Sequence, residues 1–339
     1  MQKLITQGSI ASQSMQLQKI YQPIRKELRD VEDTIQASLS QAKNASILKV
    51  NRFLLDSAGK RLRPALAILC AKAANSLKPQ SNSHQLINVA ASLELIHMAS
   101  LIHDDVIDHS HKRHHNATVN SKWGEDTSIA LGDYLHALAF KLLAACNNTD
   151  ILSCISAATQ AMCEGELIQV LERNNLSLLK ERYLLIIKKK TASLFAASCQ
   201  VGALASGVSR QIENALKEYG LNFGIAFQII DDYRDLVAPE EELGKAPGQD
   251  IASGELTLPL LNLLASLNKT KRKGLEKQLA EKDAGCLKRV REALMNSKAK
   301  TYTRQITVQY VNTAKKYLKP LGDSEYRKSL FDLADLILK

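Results

Sequence analysis

The stretch INVAASLELIHMASLIHDDVID, residues 87–108, is apolar around most of a helix and ends in three carboxylates. At helical spacing, Val89, Leu93 and Ile96 fall on one stripe, and Met98 lies elsewhere on the cylinder. A helix that is apolar on several sides has to be surrounded by other helices. The stretch therefore predicts a central helix whose C-terminal end carries acidic side chains.

The rest of the chain has the same helical character. Hydrophobic periodicity predicts further helices over 14–40, 46–57, 64–76, 126–147, 150–173, 177–206, 209–236, 257–268 and 301–319. No run of alternating β-branched residues bounded by turns occurs, so we expect no sheet. The main loop is 237–255, with two Pro and three Gly, and long loops in compact proteins are often functional. We predict an all-α fold in a single domain over 1–339.

The composition limits the class of protein. The 339 residues are 45% apolar but only 5% aromatic, so the core has to be built from Leu, Ile and Ala. The net charge of +10 permits nucleic acid, an anionic membrane or a phosphorylated small molecule as partner. Its short basic clusters, 188–190 and 269–273, are interpreted as solvated helix faces unless other residues indicate a site. Six cysteines without a CxxC pair and an N-terminus without an apolar signal segment predict a cytoplasmic protein.

The first acidic cluster is Asp104, Asp105 and Asp108. Positions i and i+4 of a helix share a face, so Asp104 and Asp108 point the same way. Two like charges there are unfavourable, and the negative end of the helix dipole makes them more so. A bound divalent cation removes this cost, although a solvated helix end is the alternative interpretation.

A second acidic cluster repeats the pattern. The stretch FQIIDDYRDL, 227–236, contains Asp231, Asp232 and Asp235, again after an apolar helical run. Oxygen ligands select Mg²⁺, Mn²⁺ or Ca²⁺, and Mg²⁺ usually keeps waters and binds a substrate phosphate. The two clusters therefore indicate several Mg²⁺ ions that bridge them to a polyphosphate.

Histidines follow the first cluster and raise the alternative of a transition-metal site. They are His109, His111, His114 and His115. Zinc has little use for six aspartates, so we favour the carboxylate site for a harder cation.

Cationic residues lie in separate short motifs. GKRLRP, 59–64, places Lys60, Arg61 and Arg63 after a glycine and before a proline suited to a helix start. Arginine forks and lysine point charges are phosphate ligands. The pairs Lys190-Thr191 and Gly244-Lys245 offer more. Together with two metal clusters, these cations suggest a substrate set with two separate phosphate groups.

A series of motifs in chain order resembles the all-trans polyprenyl diphosphate synthases, the class that includes farnesyl and geranylgeranyl diphosphate synthases. The motifs are GKRLRP (59–64), ELIHMASLIHDDVID (94–108), GDYLHALAF (132–140), EGELIQ (164–169), KKKTASLF (188–195), GIAFQIIDDYRD (224–235), GKAPGQD (244–250) and TLPLL (257–261). The resemblance covers roughly 45–265 and leaves 266–339 as C-terminal helices. It implies the all-α isoprenoid synthase fold, with helices around a central cavity, as a homodimer.

The resemblance also implies a Mg²⁺-dependent prenyltransferase. About three Mg²⁺ ions, for which Mn²⁺ can substitute, draw the diphosphate off an allylic substrate. The double bond of isopentenyl diphosphate attacks the resulting cation, and a proton is then lost. The expected partners are these two substrates and a second copy of the chain, with no nucleic acid and at most peripheral membrane contact for product release.

Site residues are carried over by matching motif positions. Metal binding is implied for Asp104, Asp108 and Asp231, and for Asp235 through water, with Asp105 and Asp232 beside them. The cations expected to hold the allylic diphosphate are Arg113, Lys190 and Lys245. Thr191 and Gln228 are expected at the reaction centre. The residues expected to anchor isopentenyl diphosphate are Lys60, Arg63 and His97.

The chain departs from the family pattern at three positions. His114 stands where an arginine would help to bind isopentenyl diphosphate, and His115 stands where a glycine would give backbone freedom. A protonated His114 beside phosphate could replace the arginine in part, or its side chain could be too short. Glu255 stands where a lysine is common.

Product length depends on the residues just before Asp104. Short-chain enzymes of the family often place an aromatic residue four or five positions upstream, and here those positions are Ser100 and Ala99. Small side chains leave the path of the growing product open, so we expect a product longer than farnesyl, in the range made by the medium- and long-chain synthases of the family. The alternatives are a geranylgeranyl or farnesyl synthase and a weak or non-catalytic subunit of a heteromeric synthase. A terpene cyclase is disfavoured by the second diphosphate site.

Overall fold

The computed structural model describes residues 14–56, 59–75, 83–113, 115–281 and 285–339. The all-α prediction is confirmed, because helices make up nearly all of the regular structure in these ranges. His114, one of the predicted substrate-binding residues, lies outside the described residues. The single-domain organisation over 1–339 stays a prediction.

The helices follow one another with short connections. The N-terminal ones are α1 (14–21), a 3₁₀ turn at Gln22–Ile24, α2 (Arg25–Ser40), α3 (Ala45–Leu55), α4 (Leu62–Asn75) and α5 (Ser83–Ile107). The middle ones are α6 (Val119–Trp123), α7 (Glu125–Ala144), α8 (Thr149–Leu171), α9 (Lys180–Ile187), a π-helical turn at Lys188–Ala192, α10 (Ser193–Ala205) and α11 (Arg210–Val237). The remaining ones are α12 (Glu240–Leu243), α13 (Gln249–Ser253), α14 (Leu258–Ser266), α15 (Lys269–Ala280), α16 (Cys286–Met295), α17 (Ala299–Tyr317) and α18 (Glu325–Leu336).

Helix α5 is the central helix that its sequence predicts. It packs against α2, α4, α7 and α10, so several of its sides are covered. Val89 and Leu93 on one face, and Leu95 on another, have no exposed surface. By length and apolarity α5 could also cross a membrane, but 72% of the relevant window is buried inside the fold, as in the core helix of a soluble protein.

Two apolar clusters position the acidic helix ends. The larger joins α2, α4, α5, α7, α10, the first half of α11 and α18. A smaller one joins the C-terminal end of α11 to α13–α16 through buried residues such as Leu236, Leu263 and Val290. This second cluster packs beneath the loop that follows the second acidic cluster, so that loop rests on a fixed base.

Three details differ from the sequence-based expectation. A short antiparallel ladder, β1 (Lys112–Arg113) with β2 (Asn116–Ala117), follows α5, although we expected no sheet. Its strands of two residues are too short to produce an alternating pattern. The main loop contains the short helices α12 and α13. The predicted helix 177–206 begins at Lys180 and is interrupted by the π-helical turn.

A glycine in α8, Gly165, allows the π-helical turn to pack closely against that helix. A Cβ atom added to Gly165 of α8 would lie 2.3 Å from the backbone nitrogen of Lys190. Any side chain at 165 would therefore collide with the wider turn. A close approach of two backbones of this kind is a tertiary feature that hydrophobic periodicity does not report.

Candidate active site

The C-terminal ends of α5 and α11 meet at one end of the helical bundle. The backbone N–H of His115, after the first acidic cluster, donates to the carbonyl of Gly244, after the second, at 2.8 Å. The guanidinium of Arg173 also links the two regions, since its Nη2 lies 2.6 Å from Asp108 and 3.1 Å from Glu255. The segments that follow the two clusters are therefore in contact, and that the two clusters act on one substrate stays a prediction.

Arginines bind the first acidic cluster. Arg113 Nε donates to Asp105 Oδ1 at 2.9 Å, and its Nη2 lies 2.9 Å from the same oxygen. Burial raises the pKa of Asp105, and Arg113 opposes that shift. Asp108 is paired with Arg173. Asp104 makes no hydrogen bond or ion pair with the side chains in the described ranges, so its carboxylate is available to a cation.

The second acidic cluster is held mostly by neutral donors. Asp231 is exposed. Asp232 is buried and accepts from Tyr183 Oη at 2.6 Å and from Gln228 Nε2 at 2.7 Å, and burial raises its pKa to about 7. Asp235 is also buried. It accepts from the backbone N–H of Asp250 at 3.2 Å, which places it beneath the loop rather than in the open site.

Cations surround the acidic residues. Lys190 pairs with Glu166 of α8, and Lys245 Nζ lies 3.6 Å from Asp235. Burial alone would lower the pKa of Lys190, but Asp104, Glu166 and Glu255 raise it above the ordinary value. Lys190 is therefore a site residue, whereas its neighbour Lys188 is exposed. The lysines of the other basic cluster, 269–273, lie on exposed positions of α15, as expected of a solvated face.

The π-helical turn brings Thr191 to Gln228. Thr191 Oγ1 donates to Gln228 Oε1 at 2.7 Å, and Gln228 in turn donates to Asp232. With Tyr183, these residues form a continuous hydrogen-bonded chain across α9, the turn and α11. Thr191 and Gln228, both expected at the reaction centre, thus lie in contact beside the second acidic cluster.

The GKRLRP motif divides its cations between two tasks. Arg61, at a backbone φ of +50°, donates from Nη1 to Glu94 at 2.8 Å and also pairs with Glu32. Arg63 is buried 4.4 Å over the Phe195 ring, and burial lowers its pKa to about 10. Arg61 therefore fixes the segment, a role that the sequence does not distinguish from that of its neighbours.

Lys60 and Arg63 remain available to a ligand. Lys60 is an exposed residue at the edge of the site. Partial desolvation of its ammonium group, and then the charge of Arg234, lower the pKa of Lys60, and the charge of Asp231 opposes this shift. Asp104 opposes the lowering of the Arg63 pKa, so this guanidinium lies in the field of the first acidic cluster. His97 is half-buried on α5, two turns before Asp104, as expected.

The histidines after the first cluster do not form a metal site among the described residues. No three His, Cys, Asp or Glu side chains in the described ranges are placed to hold a metal ion by themselves. His109 is exposed and lies 3.8 Å from Glu125. His115 has a φ of +66°, a left-handed conformation that favours glycine. The departure at 115 therefore places a histidine in a strained turn conformation that glycine adopts more easily.

Several site residues escaped the sequence analysis. Glu166 lies in the EGELIQ motif but had no assigned role. Tyr183 lies outside the quoted motifs, and Asp250 ends the GKAPGQD motif but had no predicted role. The packing of α9 and of the loop against α11 brings both residues to the second acidic cluster. Arg173, just beyond the end of α8, shows no local signal because its partners are 65 and 82 residues away.

Comparison with known proteins agrees with this geometry. The family model of polyprenyl synthetase matches residues 44–296. The geranylgeranyl diphosphate synthase of Methanosarcina mazei is 32% identical over 332 residues, which cover 96% of this chain and 99% of that protein. The heptaprenyl diphosphate synthase component 2 of Geobacillus stearothermophilus is 32% identical over 320 residues, which cover 94% of this chain and 98% of that protein.

A solved structure shares the whole fold. The polyprenyl synthase of Caulobacter crescentus, determined with calcium and isoprenyl diphosphate, superimposes with a TM-score of 0.90 at 33% identity. The match covers 95% of this chain and 97% of that one. The all-α architecture is therefore the isoprenoid synthase fold of these enzymes. The chain belongs to the polyprenyl synthetase family and is an enzyme, a prenyltransferase of isoprenoid biosynthesis.

Proposed function

We propose that the enzyme condenses isopentenyl diphosphate with an allylic diphosphate, in a Mg²⁺-dependent reaction, to give an all-trans polyprenyl diphosphate longer than farnesyl. The observation that carries the proposal is the meeting of two acidic clusters at one end of the bundle, tied by the His115–Gly244 backbone bond and surrounded by cations. Such a site offers ligands for metal ions and for two anionic substrates together.

The donor set fits Mg²⁺. Asp104, Asp108 and Asp231 would hold the ions, since all three offer carboxylate oxygens and Asp104 and Asp231 lack a side-chain partner within the described part of the chain. Mg²⁺ usually keeps waters and shares its coordination with substrate phosphate oxygens, so it does not need a complete set of protein ligands, and Mn²⁺ accepts the same oxygen ligands. When bound, the ions supply positive charge that stabilises a departing diphosphate.

Residues of the chain itself would complete the neutralisation of the allylic diphosphate. Arg113, Lys190 and Lys245 stand around the two clusters in the ion pairs described above, and each has donors in excess of its present partner. Thr191 donates its proton to Gln228, so its oxygen lone pairs can face the positive charge that develops as the carbon–oxygen bond breaks. Asp232 and Tyr183 hold Gln228 in that orientation.

The isopentenyl diphosphate site would be formed by Lys60, Arg63 and His97, with His114 as an added contact. Arg61 supports it by fixing the start of α4 to α2 and α5. We expect His114→Arg to lower the Michaelis constant for isopentenyl diphosphate. An unchanged or higher constant would show that position 114 does not contact this substrate.

Product length would depend on Ser100 more than on Ala99. At helical spacing, Ser100 shares a side of α5 with His97 and Asp104, whereas Ala99 shares a side with Ser92 and His103. The latter two approach α7 at Ala139 and Ile129, and Ala99 is fully buried. We expect Ser100→Phe to shorten the product and Ser100→Ala to leave its length unchanged. Equal product lengths in wild type and Ser100→Phe would refute this assignment.

The central test is a product assay. Purified protein is incubated with Mg²⁺, labelled isopentenyl diphosphate and a panel of allylic diphosphates, and the chain length of the product is measured. A product longer than geranylgeranyl supports the proposal, and a farnesyl or geranylgeranyl product would remove the length assignment. No product with any primer would favour the alternative of a subunit that needs a partner chain.

We further propose a homodimer in the cytoplasm. Large apolar side chains are exposed on α7 and α8, with Ile129 48%, Leu167 63% and Leu171 82% exposed, as expected of a face that a second copy covers. Leu167→Asp with Leu171→Asp should yield a monomer in light scattering, and a dimer unaffected by the change would place the interface elsewhere. The six free cysteines fit a reducing compartment, which cell fractionation would test.

A further inference from the structure

Arg173 connects two carboxylates that belong to different parts of the active site. Its Nη2 lies 2.6 Å from Asp108 of the first acidic cluster and 3.1 Å from Glu255 of the loop before α14. Its Nε lies 3.4 Å from Glu255, and its Nη1 lies 3.4 Å from the carbonyl oxygen of Ile107. One guanidinium therefore covers the end of α5 and the loop at once.

Glu255 accepts hydrogen bonds from this guanidinium and fixes its position. It is mostly buried, with 11% of its side chain exposed, and its second oxygen accepts from the Gln169 amide. Both oxygens are thus engaged by residues at the end of α8. Burial raises the pKa of Glu255, and the charges of Lys190 and Arg173 oppose that shift. Of these two cations, Arg173 is the one in hydrogen-bond contact with Glu255.

The position of Arg173 is paired with the departure at 255. A lysine at 255 would bring a cation to the site from the loop, and this chain has a carboxylate there. In this chain the cation is Arg173, just after the end of α8. The contact between residues 173 and 255 therefore still contains one cation, on residue 173 instead of residue 255. The guanidinium also presents a planar fork, which suits two oxygens of one phosphate group.

Asp108 is the partner that Arg173 would give up. A divalent ion on Asp108 competes with the guanidinium for the same carboxylate oxygens. Glu255 would still hold Nε and Nη2, so Arg173 would stay in place, with the Nη2 hydrogen released by Asp108 and the second Nη1 hydrogen able to donate. Phosphate oxygens that share the ion on Asp108 would lie next to those donors.

We propose that Arg173 binds the diphosphate group at the first acidic cluster, with Glu255 as the residue that positions it. The inference rests on the proposed function, because it assumes that a diphosphate and a divalent ion occupy this site. It assigns Arg173 to the allylic substrate and not to isopentenyl diphosphate, whose anchors lie at Lys60 and Arg63.

A purely structural role is the competing explanation. Arg173 could serve only to tie the end of α8 to the loop. A backbone bond already joins these segments, since the Asn174 N–H donates to the Gly254 carbonyl at 2.7 Å. A structural role predicts that loss of Arg173 lowers stability without changing the affinity of the folded protein for a diphosphate.

The first experiment measures pyrophosphate binding by calorimetry in the presence of Mg²⁺, using the full chain. We expect Arg173→Gln to weaken binding at least tenfold and Arg173→Lys to weaken it less, because the charge remains while the fork is lost. Arg182→Gln is the matched control, since Arg182 pairs with Glu172 at 2.8 Å and does not face the acidic clusters. Wild-type affinity in folded Arg173→Gln, or an equal loss in the control, would overturn the proposal.

The second experiment relocates the charge. Glu255→Lys alone places two cations against each other and should weaken binding. The double variant Arg173→Gln with Glu255→Lys restores one cation at the contact, so we expect its pyrophosphate affinity to exceed that of Arg173→Gln by several-fold. A double variant no better than Arg173→Gln would show that position 173 does not supply charge to the ligand.

The two proposals fail in distinguishable ways. Pyrophosphate binding requires no turnover, so an Arg173 dependence of binding in a protein that makes no prenyl product would leave this inference standing and remove the proposed activity. In an active enzyme, we expect Arg173→Lys to raise the Michaelis constant for the allylic diphosphate and to leave that for isopentenyl diphosphate unchanged. The reverse pattern would overturn the assignment.

Discussion

Asp105 and Asp232 are the second aspartates of the two acidic clusters, yet the first is bound by a guanidinium and the second by a phenol and an amide. Arg113 approaches Asp105 through two nitrogens, whereas Tyr183 and Gln228 each give Asp232 one neutral hydrogen bond. Burial raises the pKa of both carboxyls, but only Asp105 has a cation in contact to oppose it.

The difference separates two uses of one sequence pattern. In the first cluster, Asp105 and Asp108 are neutralised by arginines that can exchange for other cations or turn to an anion. In the second, Asp231 alone is exposed, while Asp232 and Asp235 hold α11 to its neighbours. The same three-aspartate spacing thus gives one cluster that is paired with arginines and another in which one carboxylate is exposed and two are held by neighbouring segments.

The largest effect should come from Asp104 and Asp231, whose carboxylates have no side-chain partner among the described residues. We expect Asp104→Asn and Asp231→Asn each to lower turnover on the order of 1000-fold, because each removes a metal ligand that acts on the departing diphosphate. Circular dichroism should show an intact fold. The exposed Asp126→Asn in the first turn of α7 is the control, and near-normal turnover in either site variant would contradict the metal-ligand assignment.

A pH dependence of stability should distinguish Asp232 from its counterpart. With a folded pKa of about 7 against an ordinary 3.8, the folded protein keeps a proton that the unfolded chain has lost between these values. The free energy of unfolding therefore decreases as pH rises through this window and levels off above it. Without divalent ions, the stability of wild type relative to Asp232→Asn should fall by up to a few kcal/mol between about pH 4 and pH 7.

Urea unfolding at several pH values measures this difference. A difference that stays constant or grows with pH would contradict the raised pKa. Asp126→Asn, in the exposed first turn of α7, is measured alongside as a surface control.

The phenol of Tyr183 should matter for stability more than for metal binding. Tyr183→Phe leaves one oxygen of the buried Asp232 without its donor, and we expect a loss of about 1–3 kcal/mol in the free energy of unfolding. Tyr317→Phe is the control, since that hydroxyl makes no hydrogen bond in the described part of the chain. A loss equal to that of the control would show that the Tyr183 contact is energetically unimportant.

The smallest effect should be a gain, at the turn that follows the first cluster. His115 adopts a φ of +66°, so His115→Gly removes a cost of about 1–2 kcal/mol, partly offset by the greater flexibility of glycine in the unfolded chain. We expect stability to rise by roughly 1 kcal/mol or less. His111→Gly, at a residue without positive φ, should give no gain, and equal effects at both positions would argue against strain at 115.

Sequence periodicity predicted the parts of the fold that depend on neighbours along the chain. Helices α5 and α11 were found within a few residues of their observed bounds, and the i, i+4 placement of Asp104 and Asp108 followed from helix geometry. The relation between the clusters could only be inferred from the resemblance of the motifs. It depends on bonds such as His115 to Gly244, which no local pattern encodes.

The unpredicted parts share a physical origin in packing between distant segments. Arg61 and Arg63 are two residues apart with the same charge, yet one meets Glu94 and the other a phenylalanine ring, because the backbone turns at Arg61. The position of the Arg173 guanidinium depends on its contact with Glu255, a residue 82 positions later. Charge and periodicity identify candidates for such roles, and tertiary contacts choose among them.

The π-helical turn at Lys188–Ala192 has an evolutionary consequence. Such a turn is what an α-helix becomes when it gains one residue while both flanks keep their register. Here the enlarged turn fits only because position 165 is glycine, whose added Cβ would lie 2.3 Å from the Lys190 nitrogen. The insertion of a residue into one helix and the change to glycine at position 165 of the other would then depend on each other during evolution. We expect lineages that revert one of them to revert the other, and the lysine and threonine carried on the turn to be inherited with both.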